Sequence, residues 1–337
     1  MTAIRLAIVG LGRFAAVHAR VLAELPDVRV VAICDRSPEA IDAFAPLFPD
    51  ASRYTDPLRM IDAERLDAID VLTPEHLHAE PVKYALEAGL HAFVEKPLAA
   101  DPAEAELLVR TAEARGRVLM TGHVLRFDAR YAEAKTRIAR GDAGTIRSIY
   151  AKRNNGKRFF PIYNRISPVF ILGIHDIDLM HWLLEDDAVE VTAARSSPGS
   201  GTEDLIWAML KFSRGAIGIL ENNWLLPDGA ASFADVRTEI TGDAGSLIVR
   251  DPERGLAFVG GASTEYASLL GGGQVHGKTR GPLADELAHF VECVRAGRPS
   301  DILRPIDAWK AVRVAAAVRE SAARGGPVRL EPAGGAP

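Results

Sequence analysis

The sequence predicts an α/β protein with an N-terminal doubly wound parallel sheet, followed by a second α/β domain built on a large, mainly antiparallel sheet. Three observations carry this expectation. Strand and helix patterns alternate through residue 122, the signature of repeated βα units. The first strand runs into Gly10-Leu11-Gly12-Arg13-Phe14-Ala15, a G-x-G-x-x-A turn placed where a helix begins. Beyond residue 122 the pattern changes to alternating strands separated by turn residues. The expected domains are residues 1–122 and 123–330, with 331–337 a flexible tail.

Element by element, "IRLAIVG" reads as a buried strand, followed by a helix through Leu25 and a second strand, "VRVVAICD". A helix from Pro38, the strand "AIDVLTP", a helix from about Pro81 to Ala88 and the strand "HAFVEKP" come next. A helix over Asp101 to Arg115 and the strand "RVLMTGH" close the parallel part. The second part opens with a helix from Asp128 to Arg140 and the alternating strand "TIRSIYAKRN". A helix over residues 174–184 precedes five β patterns: "AVEVTAARSS", "DLIWAMLKFS", "AIGILENNW", "SFADVRTEITG" and "GSLIVR". "FSRGAIG" and "TGDAGS" read as hairpin turns, and the Gly-rich stretch from Gly260 to Pro282 as a long mobile loop. Two helical patterns end the fold. One face of the antiparallel sheet is expected to carry the helices and the other to be buried by a second subunit.

At 337 residues and 48% hydrophobic content, the chain can bury two cores. A formal net charge of -5, with no basic run, gives no electrostatic reason to bind nucleic acid. No stretch approaches the roughly 20 apolar residues of a membrane span, and the Gly-rich turn lies too near the start for a removable leader. Cys34 and Cys293 are far apart and without metal-type spacing. These features together predict a cytoplasmic protein.

In the first turn, glycine lets the backbone approach a pyrophosphate closely while the helix N-terminus faces the anion. A ligand-free turn that merely starts an α/β domain is the alternative. Asp35, after the second strand, stands at the spacing where a carboxylate takes ribose hydroxyls, and it repels the 2′-phosphate of NADP. Arg36 and Ser37 beside it keep NADP as a minority choice. Gly10, Gly12, Arg13, Phe14, Asp35, Arg36, Thr73, Pro74, His78, Glu95 and Lys96 are the expected cofactor-binding residues, with NAD the expected cofactor.

Glu95-Lys96-Pro97 follows a buried strand, so Lys96 lies at the carboxyl edge of the sheet. A lysine there can hold a substrate hydroxyl and lower its pKa as hydride leaves; the alternative is a lysine that reaches solvent and pairs with Glu95. In "LGIHDIDLMHWLL", His175 and Asp178 share a helix face, as do Asp178 and His181. Histidine is a natural proton acceptor for alcohol oxidation, and an acid one turn away can orient it. A helix that simply caps and pairs at a domain surface is the alternative. A metal site has no third ligand of comparable support, and none is expected. His123, Arg153, Asn155 and Tyr163, at strand ends and in a loop, offer groups for a hydroxylated ligand.

Taken together, GLGRFA, Asp35, "LTPEHLH", EKP at 95–97 and "GIHDID" at 173–178 make the chain resemble the Gfo/Idh/MocA family of nicotinamide-dependent oxidoreductases, which includes inositol and sugar dehydrogenases. The resemblance spans nearly the whole chain. It implies an N-terminal Rossmann domain, a C-terminal sheet that makes dimers or tetramers, and a dehydrogenase acting on CH–OH groups. It makes Lys96 and His175 the catalytic pair and Asp178 a contact for substrate hydroxyls. Many polyol-oxidising members carry an acid four residues before the histidine, where this chain has Ile171. The expected function is reversible oxidation of a secondary hydroxyl of a cyclitol, sugar or sugar derivative with NAD. A sugar enzyme that uses NAD transiently, as in glycoside cleavage, and a non-catalytic nucleotide- or sugar-binding regulator are the alternatives.

Overall fold

The structure is a computed structural model that describes residues 3–197, 199, 201–252, 257–259, 264–266 and 273–331. The chain divides into two compact units, one of residues 1–127 with 271–309 and the other of 128–270 with 310–337.

The first unit is built on β1 (Ile4–Val9), α1 (Ala15–Glu24), β2 (Val28–Cys34), α2 (Pro38–Phe44), β3 (Ser52–Tyr54), α3 (Pro57–Ala63), β4 (Ala68–Val71), α4 (Ala79–Glu87), β5 (His91–Val94), α5 (Pro102–Arg115) and β6 (Leu119–Thr121). The strands form one parallel sheet in the order β3-β2-β1-β4-β5-β6. That order reverses direction at β1, which places ligands outside the carboxyl ends of the strands there. Helix starts follow the chain's own capping residues: Ser37, Asp56 and Asp101 each accept backbone N–H bonds at the head of α2, α3 and α5. The short β3 and α3 were absent from the sequence reading. Leu6, Ile8, Phe93 and Met120 form the centre of the core, against Ala19 and Leu22 of α1.

The second unit opens with α6 (Ala129–Arg140), β7 (Ile146–Gly156), the single-turn α7 (Phe160–Tyr163) and α8 (Ile174–Leu184). It continues with β8 (Ala188–Ser196), β9 (Leu205–Phe212), β10 (Ile217–Leu226), β11 (Ala234–Gly242) and β12 (Ser246–Asp251). The short strands β13 (Ala257–Val259) and β14 (Thr264–Tyr266) form a ribbon. Another ribbon, β15 (Gly273–Val275) with β16 (Lys278–Arg280), belongs to the first unit and is tied to α1 where Glu24 accepts from the Thr279 backbone. The stretch expected as a loop therefore carries hairpin strands, while 260–263, 267–272 and the tail beyond 331 lie outside the described residues. The chain then forms α9 (Pro282–Ala296), whose Leu283, Leu287 and Phe290 pack into the first unit's core, followed by α10 (Pro305–Arg324) and β17 (Val328–Arg329).

The large sheet runs β12-β11-β7-β10-β9-β8-β17. It is antiparallel except for β7 and β10, which run parallel. Inward residues such as Ile149, Ala151, Ile206, Leu210, Leu220 and Ile240 are buried, and Met180 of α8 lies where a side chain at Gly218 would be. A π-helical turn over Val169–Gly173 leads directly into α8. Such turns re-aim the residues that follow them.

Candidate active site

In the first unit the expected cofactor residues gather at the carboxyl edge of the parallel sheet. Gly10 leaves β1 with φ +88, and a Cβ on it would stand 2.6 Å from the Thr73 backbone nitrogen; no side chain fits between the two strand ends. Gly12 is open, with nothing within 4 Å of its Cβ position, so its backbone is free to approach a ligand. Asp35 accepts from the Leu11 N–H at 2.7 Å and from the Ser37 N–H at 2.9 Å. These two bonds hold the carboxylate beside the turn, and its remaining lone pairs suit a ribose diol. Arg13, Phe14 and Arg36 are exposed around it. The residues fit a dinucleotide: a glycine cradle that excludes Cβ, a helix N-terminus without its own side-chain cap and a fixed carboxylate.

Thr73 and Pro74 follow β4. His78 is buried with Nε2 2.8 Å from the Thr73 carbonyl and Nδ1 2.7 Å from the Pro97 carbonyl, so it joins the segment after β4 to the one after β5. Burial holds its pKa below the usual imidazole value despite those carbonyls. Its position makes it a staple between two cofactor-edge segments. Glu95 and Lys96 are half-buried, and the Lys96–Pro97 peptide is cis. Glu95 accepts from the Lys96 N–H at 3.1 Å and packs on Gly122, where a Cβ would meet its Oε1 at 2.5 Å. His123, just past β6, is buried at the same edge.

The second unit carries His175 and Asp178 on the first turns of α8, His175 half-buried and Asp178 buried. Asp176, which the sequence reading passed over, is the acid that engages the sheet. It accepts from Arg153 Nε at 3.1 Å and Nη2 at 2.8 Å, a bidentate pair with both side chains buried. Burial works against the guanidinium charge, but Asp176 and Tyr131 raise its pKa further. Arg153, expected to offer donors to substrate, is thus already locked onto α8, and the pair fixes the helix that bears His175. The missed signal was the first acid in "IHDID" with an arginine at an inward strand position. Asn222, also passed over, is fully buried on the same sheet face, and a Cβ on Gly173 would collide with its Oδ1.

Asn154 and Asn155 point to opposite faces of β7. Asn154 donates to Glu221 at 2.8 Å on the outer face, whereas Asn155 keeps a buried Oδ1 on the inner face without a hydrogen bond among the described residues. Tyr163 stacks on Trp224 with centroids 5.3 Å apart and rings 8° from parallel. Ile171, Leu172 and Trp224 form an apolar cluster lined by Phe159, Phe160, Tyr163 and Ile166. The position at which the resemblance has an acid is therefore embedded in aromatic and aliphatic surface. His181 accepts from the Ala188 N–H at 3.4 Å and packs on Phe212, a role in the helix's own packing.

Two family models match consecutive parts of the chain. Residues 4–123 match "Oxidoreductase family, NAD-binding Rossmann fold", and residues 131–248 match the GFO/IDH/MocA C-terminal domain. The chain belongs to the Gfo/Idh/MocA oxidoreductase family. It is 28% identical to scyllo-inositol 2-dehydrogenase (NAD(+)) of Bacillus subtilis, over 97% of this chain and 96% of that one. It is also similar to 2,7-anhydro-N-acetylneuraminate hydratase of Mediterraneibacter gnavus, 30% identical over 66% of this chain and 62% of that one. Among solved structures, myo-inositol 2-dehydrogenase of Lactobacillus plantarum superposes with a TM-score of 0.86 at 26% identity, over 98% of this chain and 100% of that one. The protein is accordingly an NAD-dependent oxidoreductase with the family's Rossmann domain and mixed C-terminal sheet. No helix among the described residues is long and apolar enough to cross a membrane.

Proposed function

We propose that the protein is a dehydrogenase that reversibly oxidises a secondary hydroxyl of a cyclitol, sugar or sugar derivative to a ketone. The observation that carries the reading is the placement of Lys96 directly after β5, at the same sheet edge as the Gly10 turn and the anchored Asp35. NAD, when bound, supplies the hydride acceptor. The turn from Gly10 to Phe14 would hold its pyrophosphate, Asp35 with Arg36 its adenosine ribose, and Thr73, Pro74, Glu95 and Lys96 its nicotinamide half, with His78 bracing those segments.

Lys96 donates a charge-assisted hydrogen bond to the reacting oxygen and stabilises the alkoxide that develops there. His175 takes the hydroxyl proton at Nε2, since its Nδ1 is buried. Asp178 binds a neighbouring hydroxyl or steers His175. Asn155, Tyr163 and His123 supply further polar contacts, and Arg153 acts through Asp176 by holding α8 in place. Similarity to inositol dehydrogenases supports the cyclitol class. The apolar surround of Ile171 favours substrates with fewer hydroxyls at one side of the ring.

A second reading, oxidation and re-reduction through retained NAD with no net redox change, is favoured by the relative named as a hydratase. The experiment that separates them is near-ultraviolet absorbance of reduced nicotinamide across inositols, O-methyl inositols, aldoses, amino sugars and sugar acids. Net reduction with one class supports the dehydrogenase; substrate conversion without net reduction supports the second reading.

The outer face of the large sheet supports a homo-oligomer. Met209, Ile219, Tyr150, Glu239 and Ile248 lie in one cross-strand row, with Trp207 in the next. Trp207, Ile217 and Ile248 are exposed. A second copy of this face would bury them. The two free, buried cysteines suit a reducing compartment, so we place the enzyme in the cytoplasm.

A further inference from the structure

Behind the Glu95–Lys96 turn the first unit sets three ionisable groups in a row, two of them fully buried. His18, on α1, has no exposed surface; its Nδ1 lies 2.9 Å from Asp70 Oδ2 on β4, and its Nε2 3.5 Å from Glu95 Oε1 after β5. Phe14 and Phe93 close the imidazole from the sides, with ring centroids 5.1 and 5.7 Å away. Asp70 is fully buried as well, and Glu95 is pressed against Gly122 while its other oxygen accepts from the Lys96 N–H. Beyond Glu95 the next titratable groups are Lys96, adjacent in the chain, and His78, which feels the Glu95 charge.

A buried carboxylate beside a buried imidazole is stabilised when the ring is protonated on both nitrogens. The imidazolium donates from Nδ1 to Asp70 and turns its buried Nε2 toward Glu95 at ion-pair distance. We propose that His18 is a positioning residue for Lys96: an imidazolium held between Asp70 and Glu95, it fixes the Glu95 carboxylate, and Glu95, which accepts from the Lys96 N–H, fixes the turn that carries the lysine. The electrostatics agree. Burial alone would lower the His18 pKa, but Asp70 and Glu95 push it up to about 10. Burial raises that of Asp70, which His18 counters. The inference rests on the reading of Lys96 as the group that holds the substrate oxygen.

The test is nuclear magnetic resonance on the cofactor-free protein, so it stands whether or not any polyol is oxidised. At about pH 8 an unperturbed imidazole is neutral; the ring nitrogens of His18 should both remain protonated there. His18→Gln leaves Asp70 buried without its cation and can unfold the chain. His18→Gln/Asp70→Asn replaces the pair by neutral hydrogen-bonding groups and keeps the packing. In that double variant the Lys96 amide, which Glu95 holds, should exchange with solvent about tenfold faster, while amides at the centre of β5 keep their wild-type protection. With an oxidised substrate in hand, kcat should fall about tenfold with cofactor affinity unchanged. A neutral His18 at about pH 8, or a folded double variant with unchanged exchange of the Lys96 amide, overturns the proposal. Failure of every polyol to react, with both magnetic-resonance results as expected, removes the dehydrogenase reading and leaves the positioning role standing.

Discussion

Asp35 owes its place to two backbone N–H groups, those of Leu11 and Ser37, one from the Gly-rich turn and one from the head of α2. A serine at this position keeps some of that hydrogen bonding but loses the charge that repels a 2′-phosphate. Asp35→Ser should therefore shift the NAD-to-NADP preference by about tenfold toward NADP, as measured by fluorescence titration of both cofactors. An unchanged ratio places the ribose elsewhere. His18 gives a second residue-level expectation, in stability. Its folded pKa is raised to about 10 from an unfolded value of roughly 6.5. Its contribution is therefore complete below the unfolded value and is lost as pH rises toward the folded one. The melting temperature should fall steadily over that interval in the wild type and more shallowly in His18→Gln/Asp70→Asn. Parallel curves would show that the buried imidazole is not charged. Asp35, Lys96 and His175 were legible in the sequence because each sits at a fixed offset from a strand end or on a helix with a readable period. Asp70 beside His18, and Asp176 beside Arg153, were not. Those partners lie 52 and 23 residues apart, and spacing along a chain carries no information about contacts across a sheet.

At the scale of elements, the contact between β7 and α8 sets the candidate substrate residues. Arg153 and Asp176 bind each other bidentately with almost no exposure on either side chain. Removing one partner leaves the other charge buried and unpaired, which costs about 3–5 kcal/mol. Arg153→Met should lower stability by that order in urea denaturation, and Arg153→Met/Asp176→Leu should recover a large part of it. A single variant within 1 kcal/mol or so of wild type would mean that the pair is not desolvated. The long helices and alternating strands of both units were legible because periods of 3.6 and 2 repeat often enough to be read. The three-residue β3 and the seven-residue α3 were missed because they are too short to show a period. The π-helical turn before α8 was also invisible: "VFILG" is apolar throughout, and its hydrogen-bond register depends on packing against Asn222 and Trp224.

At the scale of the whole molecule, the seven-stranded sheet has one face under α8 and another that exposes Trp207, Ile217 and Ile248 among paired charges. Lys152 pairs with Asp235 and Lys211 with Glu190, each at 2.6 Å. These internally satisfied charges leave the apolar groups as the part of the face that gains from being covered. Light scattering should give a dimer or tetramer for the wild type and a smaller species for Ile248→Arg; a wild-type monomer would remove this surface as an interface. The proposed hydride transfer needs both Lys96 and His175. The direct measurement uses a polyol deuterated at the reacting carbon, with NAD, and follows deuterium into the nicotinamide ring by mass spectrometry in wild type, Lys96→Met and His175→Ala. Deuterated reduced cofactor is expected from the wild type, and at least about a hundredfold less from each variant. Equal transfer by the folded variants, or substrate conversion with no deuterium in the released cofactor, would contradict it.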